Sequence, residues 1–228
     1  LKNTISDLFF DLDHTLWDFE KNSAMAFETI FRQHQIELAL ADFHLHYSAI
    51  NTAYWKLYRE EKVTQQQLRY GRLKDTFDLL NYVISDDLIH QISIDYIAVL
   101  PDNNYLFDGT IAILDYLKPK YNLHIITNGF EEVQNHKLKN SGIQPYFQTI
   151  TNSENAGAKK PNPIIFDCAL QVANVDKTHS LMIGDCLEAD VQGALSFGMD
   201  AIFFNPLQQE APSTIKQISH LLELKNYL

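Results

Sequence analysis

The chain has 228 residues, 46% hydrophobic and 21% charged, enough to bury a sizeable core in one or two domains and too apolar for wholesale disorder. Its 29 acidic side chains against 18 basic ones give a formal net charge of -11, which disfavours polymeric nucleic acid and anionic membrane surfaces as partners. Mean hydropathy is -0.20, no apolar run approaches the ~18 residues of a membrane span, and Cys168 and Cys186 make no disulfide framework. No basic segment followed by an apolar stretch opens the sequence, so a cytoplasmic protein is expected.

In chain order, the first apolar run, residues 8–10, predicts a buried strand. The next strand-like run is 123–126, more than a hundred residues on, where a simple crossover needs about thirty. The insert reads as four amphipathic helices. Ala24, Phe27, Ile30 and Phe31 share the first apolar face, and Phe43, Tyr47, Ile50, Tyr54 and Leu57 the second. Thr64 and Gln67 have capping-box spacing before Leu68, Leu73, Phe77 and Leu80. Ser85 with Asp86 and Asp87 opens the fourth, which carries Ile89, Ile92, Tyr96 and Val99.

Beyond the insert, strand-like runs recur at 123–126, 148–151 (weakly), 181–183 and 201–204, separated by helix-length sequence. Gly142 fits a helix C-terminus, and Asn162-Pro163 an N-cap followed by proline in the first turn. The expected fold is α/β, a parallel sheet core over residues 1–15 and 97–228, with a helical-bundle cap inserted at 16–96.

Ligands of open parallel sheets gather beyond the carboxyl ends of the strands, and four clusters lie there. After the first run come Asp11 and Asp13, two carboxylates suited to nucleophilic attack on phosphorus and to proton transfer. After the second come Thr127 and Asn128 ahead of a helix start, a hydroxyl with backbone N–H groups fit for a phosphate. Lys160, in Lys159-Lys160-Pro161, offers one positive charge. After the run 181–183 come Asp185 and Asp190, oxygen donors for a hard cation such as Mg²⁺. Each alone reads better as an ordinary polar turn; together they are much more specific. If the four acids converge, their crowding would protonate them unless a divalent cation and a lysine relieve it.

The ordered set resembles the haloacid dehalogenase-like hydrolase superfamily. That resemblance implies a Rossmann-like core with Asp11 as nucleophile and Asp13 as general acid/base. It implies Thr127 and Asn128 on the phosphoryl group, and Lys160 bridging that group to Asp11. Mg²⁺ would be held by Asp11, Asp185 and the Asp13 backbone carbonyl, with Asp190 steadying Lys160 and the metal waters. An acid at position 13 suits an alkoxide leaving group, which needs a proton, and so favours phosphoryl transfer over dehalogenation.

Within the superfamily, Tyr54-Trp55, Thr64 to Arg72, Ile126 to Phe130 and Ala158 to Phe166 resemble the bacterial pyrimidine nucleotide 5′-nucleotidases. The implied substrate is a small phosphate monoester, a nucleoside monophosphate. Tyr54, Trp55, Arg69, Tyr70 and Arg72 are the candidates to stack on the base; the alternative is that Tyr54 packs in its helix and the arginines are solvated. Cys186 stands where that group often has Ser or Thr, and His14 where superfamily members often have Gly. A sugar-phosphate or phosphoglycolate-type phosphatase or phosphomutase on the same scaffold is the competing enzyme class. A noncatalytic binding module is the third reading, disfavoured because every catalytic position is filled.

Overall fold

The computed structural model describes residues 5–228; residues 1–4 of the expected core domain lie outside the described residues. The chain divides into two compact units, one of the residues up to Phe19 with Asn104–Leu228, the other Glu20–Asn103. In chain order the elements are β1 (Asp7–Phe10), α1 (Phe19–Gln33), α2 (Leu40–Arg59), α3 (Gln65–Leu79), α4 (Asp86–Val99) and α5 (Thr110–Leu117). Then come β2 (Asn122–Thr127), α6 (Glu131–Asn140), β3 (Thr149–Asn152), the single turn α7 (Ser153–Ala156) and α8 (Pro163–Ala173). The chain ends through β4 (Ser180–Gly184), α9 (Gly193–Phe197), β5 (Asp200–Phe204) and β6 (Gln217–Ile218). No helix among the described residues is long and apolar enough to cross a membrane.

The first unit is a six-stranded sheet in the order β3-β2-β1-β4-β5-β6, every pair parallel. The four residues of β1 and the five of β4 are all buried, as expected of strands covered on both faces. Phe9, Ile126, Met182, Ala201 and Phe203 from the strands pack with Ile165, Phe166 and Ala169 of α8 and with Val191 and Ala194. This is the α/β core expected from the spacing, and the Rossmann-like architecture that the resemblance implies. Because β1 pairs with β2 on one side and β4 on the other, the chain runs outward through β2 and β3 and then crosses back to the far side of β1 at β4. The strand ends after β1, β2 and β4 are therefore neighbours, at the place where such sheets bind ligands.

Punctuation follows local chemistry. Asn162 caps α8 by accepting from the Ile164 N–H at 3.0 Å, with Pro163 in the first turn. Gly142, just past α6, has φ +74°, the left-handed conformation that glycine adopts without strain.

The second unit is helical, α1 to α4. Its last helix runs to Val99 and a 3-10 turn follows at Leu100–Asp102, so the unit extends past residue 96. Thr64 and Gln67 form the capping box of α3, and Ser85 caps α4. The interior is aromatic. The Phe27 ring lies 4.8 Å from Phe43, 4.7 Å from Tyr47 and 4.5 Å from Tyr96. Edge-to-face and offset pairs of this kind add to area burial. Phe27→Ala should cost about 3–5 kcal/mol, read as a lower urea midpoint with unchanged far-UV circular dichroism in buffer.

Candidate active site

Asp11 continues β1 by one residue, its N–H donating to the Ile183 carbonyl at 2.9 Å. Leu12 then turns the chain, its carbonyl accepting from the N–H groups of Leu16 and Trp17 at 3.0 and 2.9 Å. His14 sits in that turn at φ 63°. The left-handed backbone gives a physical reason for glycine at this position in similar proteins.

Lys160, 1% exposed, reaches into the gap between the ends of β1, β2 and β4. Its ammonium donates to Asp11 Oδ1 at 2.6 Å and to the Ile126 carbonyl at 2.7 Å, and lies 2.7 Å from Asp190 Oδ1. Three acceptors match the three N–H bonds of an ammonium group. Burial by itself would push the Lys160 pKa down, but Asp11 and Asp190 outweigh it and hold the group above its ordinary value. Asn128 clasps the same residue by its main chain: its amide oxygen accepts from the Lys160 N–H at 2.8 Å, and its NH₂ donates to the Lys160 carbonyl at 3.0 Å. Both polar ends of the Asn128 side chain are thus on Lys160, so what this side chain does is place the lysine.

Asp11, Asp185 and Asp190 each offer an oxygen within 4.8 Å of the others. Asp190 has both oxygens occupied, Oδ2 accepting from the Cys186 N–H at 2.9 Å. Thr15 ties the other two acids together. Its hydroxyl donates to Asp185 Oδ1 at 3.1 Å, accepts from the Asp185 N–H at 3.1 Å, and lies 3.5 Å from Asp11 Oδ2. Burial, opposed by Lys160 and reinforced by Asp190 and Asp185, raises the Asp11 carboxyl well above the usual range. Burial and then Asp190 push Asp185 up to about 8.

Three carboxylates against one ammonium leave two negative charges, those that one divalent cation would balance. An all-oxygen donor set without thiolate or imidazole suits a hard cation. The residues therefore fit a divalent ion between Asp11 and Asp185.

Asp13 does not join this trio through its side chain. It turns to α6, where Lys137 Nζ lies 2.5 Å from Oδ1 and Gln134 Nε2 donates to Oδ2 at 2.9 Å. The same Gln134 NH₂ donates to Thr127 Oγ1 at 2.7 Å. Thr127 also accepts from the Gly129 N–H at 3.0 Å, which leaves its own hydroxyl hydrogen available to an incoming oxygen. Thr15, Gln134 and Lys137 were not marked out by the sequence. The available signal was the buried face of α6, Val133, Gln134, Lys137 and Leu138, half of it polar.

The insert's candidates are placed within the helical unit. The Tyr54 hydroxyl donates to Asp75 Oδ2 at 2.7 Å, and Trp55 packs edge-on against Tyr58 with ring centroids 5.7 Å apart. Arg69 is partly buried. Arg72 is neither on the surface nor solvated. It is 2% exposed, donates to Asn51 Oδ1 at 2.9 Å, and lies over the Tyr96 and Tyr47 rings at 5.1 and 5.8 Å.

Comparison with known proteins places this geometry. The chain is 31% identical to pyrimidine 5′-nucleotidase YjjG of Escherichia coli, with 97% of this chain and 96% of the other aligned. It is 31% identical to pyrimidine 5′-nucleotidase PynA of Streptococcus pneumoniae over 87% and 83% of the two chains. The Bacillus subtilis protein YfnB, solved bound to magnesium, superposes with a TM-score of 0.89 at 29% identity over 99% of both chains. With a haloacid dehalogenase-like hydrolase family model matching residues 8–198, the chain belongs to the haloacid dehalogenase-like hydrolases.

Proposed function

We propose that the protein is a Mg²⁺-dependent phosphomonoesterase that hydrolyses pyrimidine nucleoside 5′-monophosphates through an aspartyl-phosphate on Asp11. The observation that carries the reading is the pairing of Asp11 with Lys160 and Asp185 at one strand end, with Asp13 two residues away on a separate set of donors. Similarity to the two pyrimidine 5′-nucleotidases supports the substrate class.

In the first half-reaction an Asp11 carboxylate oxygen bonds to phosphorus and the bond from phosphorus to the ester oxygen breaks. The electron pair goes to that oxygen, which takes a proton from Asp13. In the second, Asp13 takes a proton from water as the water oxygen attacks the phosphoryl group and Asp11 is released. Lys160 now gives one N–H to Asp11; with Asp11 esterified, that N–H turns to a phosphoryl oxygen. Thr127 gives its hydroxyl hydrogen to another. Asp11, Asp185 and the Asp13 carbonyl would hold Mg²⁺, with Asp190 steadying Lys160, and the ion would supply charge neutralisation at the transferring group. Choice of the organic group is assigned to the helical insert, with Tyr54, Trp55 and Arg69 offering ring faces and a guanidinium plane.

Phosphate release from UMP, dTMP and a panel of hexose phosphates tests the reading directly. Release from the pyrimidine nucleotides is expected, and Asp11→Asn should lower it by more than ~10³-fold while the fold persists by circular dichroism. Release from the hexose phosphates alone would select the sugar-phosphate class instead.

The raised Asp185 carboxyl gives a pH signature. A carboxyl whose folded pKa lies above its unfolded one favours the folded state at low pH, and that contribution is lost as pH rises through about 8. In EDTA the melting temperature should therefore fall between pH 6 and pH 9. Millimolar MgCl₂ should restore it, with a larger gain at pH 9 than at pH 6 by scanning fluorimetry, since the ion binds the ionised acids.

A further inference from the structure

The function above uses Asp13 but not the two side chains that hold it. Both come from α6, three residues apart and so on one face. Lys137 has a side chain only 3% exposed, its Nζ 4.2 Å from the centroid of the Trp17 ring and 5.3 Å from that of Phe19. A buried ammonium needs compensation, and here the indole face and Asp13 Oδ1 supply it. Gln134 is also buried, and its NH₂ links Asp13 Oδ2 to Thr127 Oγ1.

The amide of Gln134 can take only one orientation, because a flip would aim its oxygen at the Asp13 carboxylate. In that orientation its Oε1 is buried with no hydrogen-bond partner. A buried unpaired acceptor costs about 1–3 kcal/mol, so the side chain is held by what its NH₂ does rather than by satisfying both ends. Room for it is built into the backbone: a Cβ at Gly129 would lie 2.3 Å from Gln134 Nε2.

We infer that Lys137 and Gln134 are positioning residues that clamp both oxygens of Asp13, aiming it at the leaving oxygen and tying it to the phosphoryl-binding hydroxyl of Thr127. The inference rests on the reading of Asp13 as the group that protonates the leaving oxygen. Neither side chain touches the reacting atoms; each acts by restricting rotation of the Asp13 carboxylate.

The test compares kcat/KM, which reports the steps up to phosphoryl transfer, for UMP and p-nitrophenyl phosphate in full-length protein with MgCl₂. The nitrophenolate departs without a proton, whereas the ribose oxygen needs one. Lys137→Met, which keeps an aliphatic chain against Trp17, and Gln134→Leu should each lower kcat/KM for UMP by about 10–100-fold. The loss on p-nitrophenyl phosphate should be several times smaller, and Lys137→Arg should recover most of it. Asp13→Asn is the reference and should discriminate between the two substrates in the same direction. If Asp13→Asn discriminates while Lys137→Met and Gln134→Leu lower both rates equally or not at all, the clamp is refuted and the function stands. If Asp13→Asn itself does not discriminate, the proton role of Asp13 fails and the clamp fails with it. Should UMP resist hydrolysis while the aryl ester reacts, only the nucleotide assignment fails, and glycerol 3-phosphate replaces UMP as the alkyl ester.

Discussion

One buried ammonium organises the carboxyl end of the sheet. Lys160 belongs to the loop before α8, yet its three N–H bonds end on Asp11 after β1, Ile126 in β2 and Asp190 after β4. Taking such a charge out of water costs several kcal/mol, which only close counter-charges and saturated hydrogen bonds offset. Removing any one of these partners would leave one ammonium N–H without an acceptor in the interior, so three chain segments are held together by one side chain. The backbone is shaped to the same end. A Cβ at Gly184 would come within 2.3 Å of Asp190 Oδ2, and one at Gly193 within 2.9 Å of the Pro161 ring, closing the space that the pair occupies.

Sheet order supplies the rest of the placement. β1 is central and β2 and β4 flank it; Thr127 is the last residue of β2, and Asp11 and Asp185 directly follow β1 and β4. Sequence separations above a hundred residues therefore collapse to a few ångströms. The acids are then crowded enough for burial and one another's charge to raise Asp11 and Asp185 together, a crowding that a bound cation would relieve.

What could be read from the sequence was what has a strong local signature. Four strands announced themselves as short apolar runs and β3 only weakly, the capping box at Thr64 and the Asn162-Pro163 start by residue type and spacing. β6 did not, because two residues at a sheet edge have no period to detect. The turn Leu187–Gln192 folds as a π-helix, which places Asp190 beside Lys160 and has no compositional mark. Arg72 was weighed as a stacking residue or a solvated one. Its burial depends on Asn51, Tyr47 and Tyr96, partners supplied by two other helices of the bundle and invisible along its own. Gln134 and Lys137 were missed for the same reason, since polar residues on a polar helix are read as facing water until a carboxylate is known to lie opposite.

Two carboxylates two residues apart could easily have shared one environment and hindered each other. Here the turn at Leu12 and His14 separates them. Asp11 faces the strand ends, Lys160 and two further acids, whereas Asp13 faces α6, with a lysine and an amide of its own. Giving a pair of acids different surroundings is how one short segment can provide both a nucleophile and a proton carrier, the roles proposed for Asp11 and Asp13. The two lysines differ correspondingly: Lys160 is bound to Asp11, the proposed nucleophile, and Lys137 to Asp13, the proposed proton carrier. Under the proposed mechanism the separation would let Asp11 be esterified without disturbing Asp13, whose carboxylate is held by Gln134 and Lys137 while Asp11 is held by Lys160.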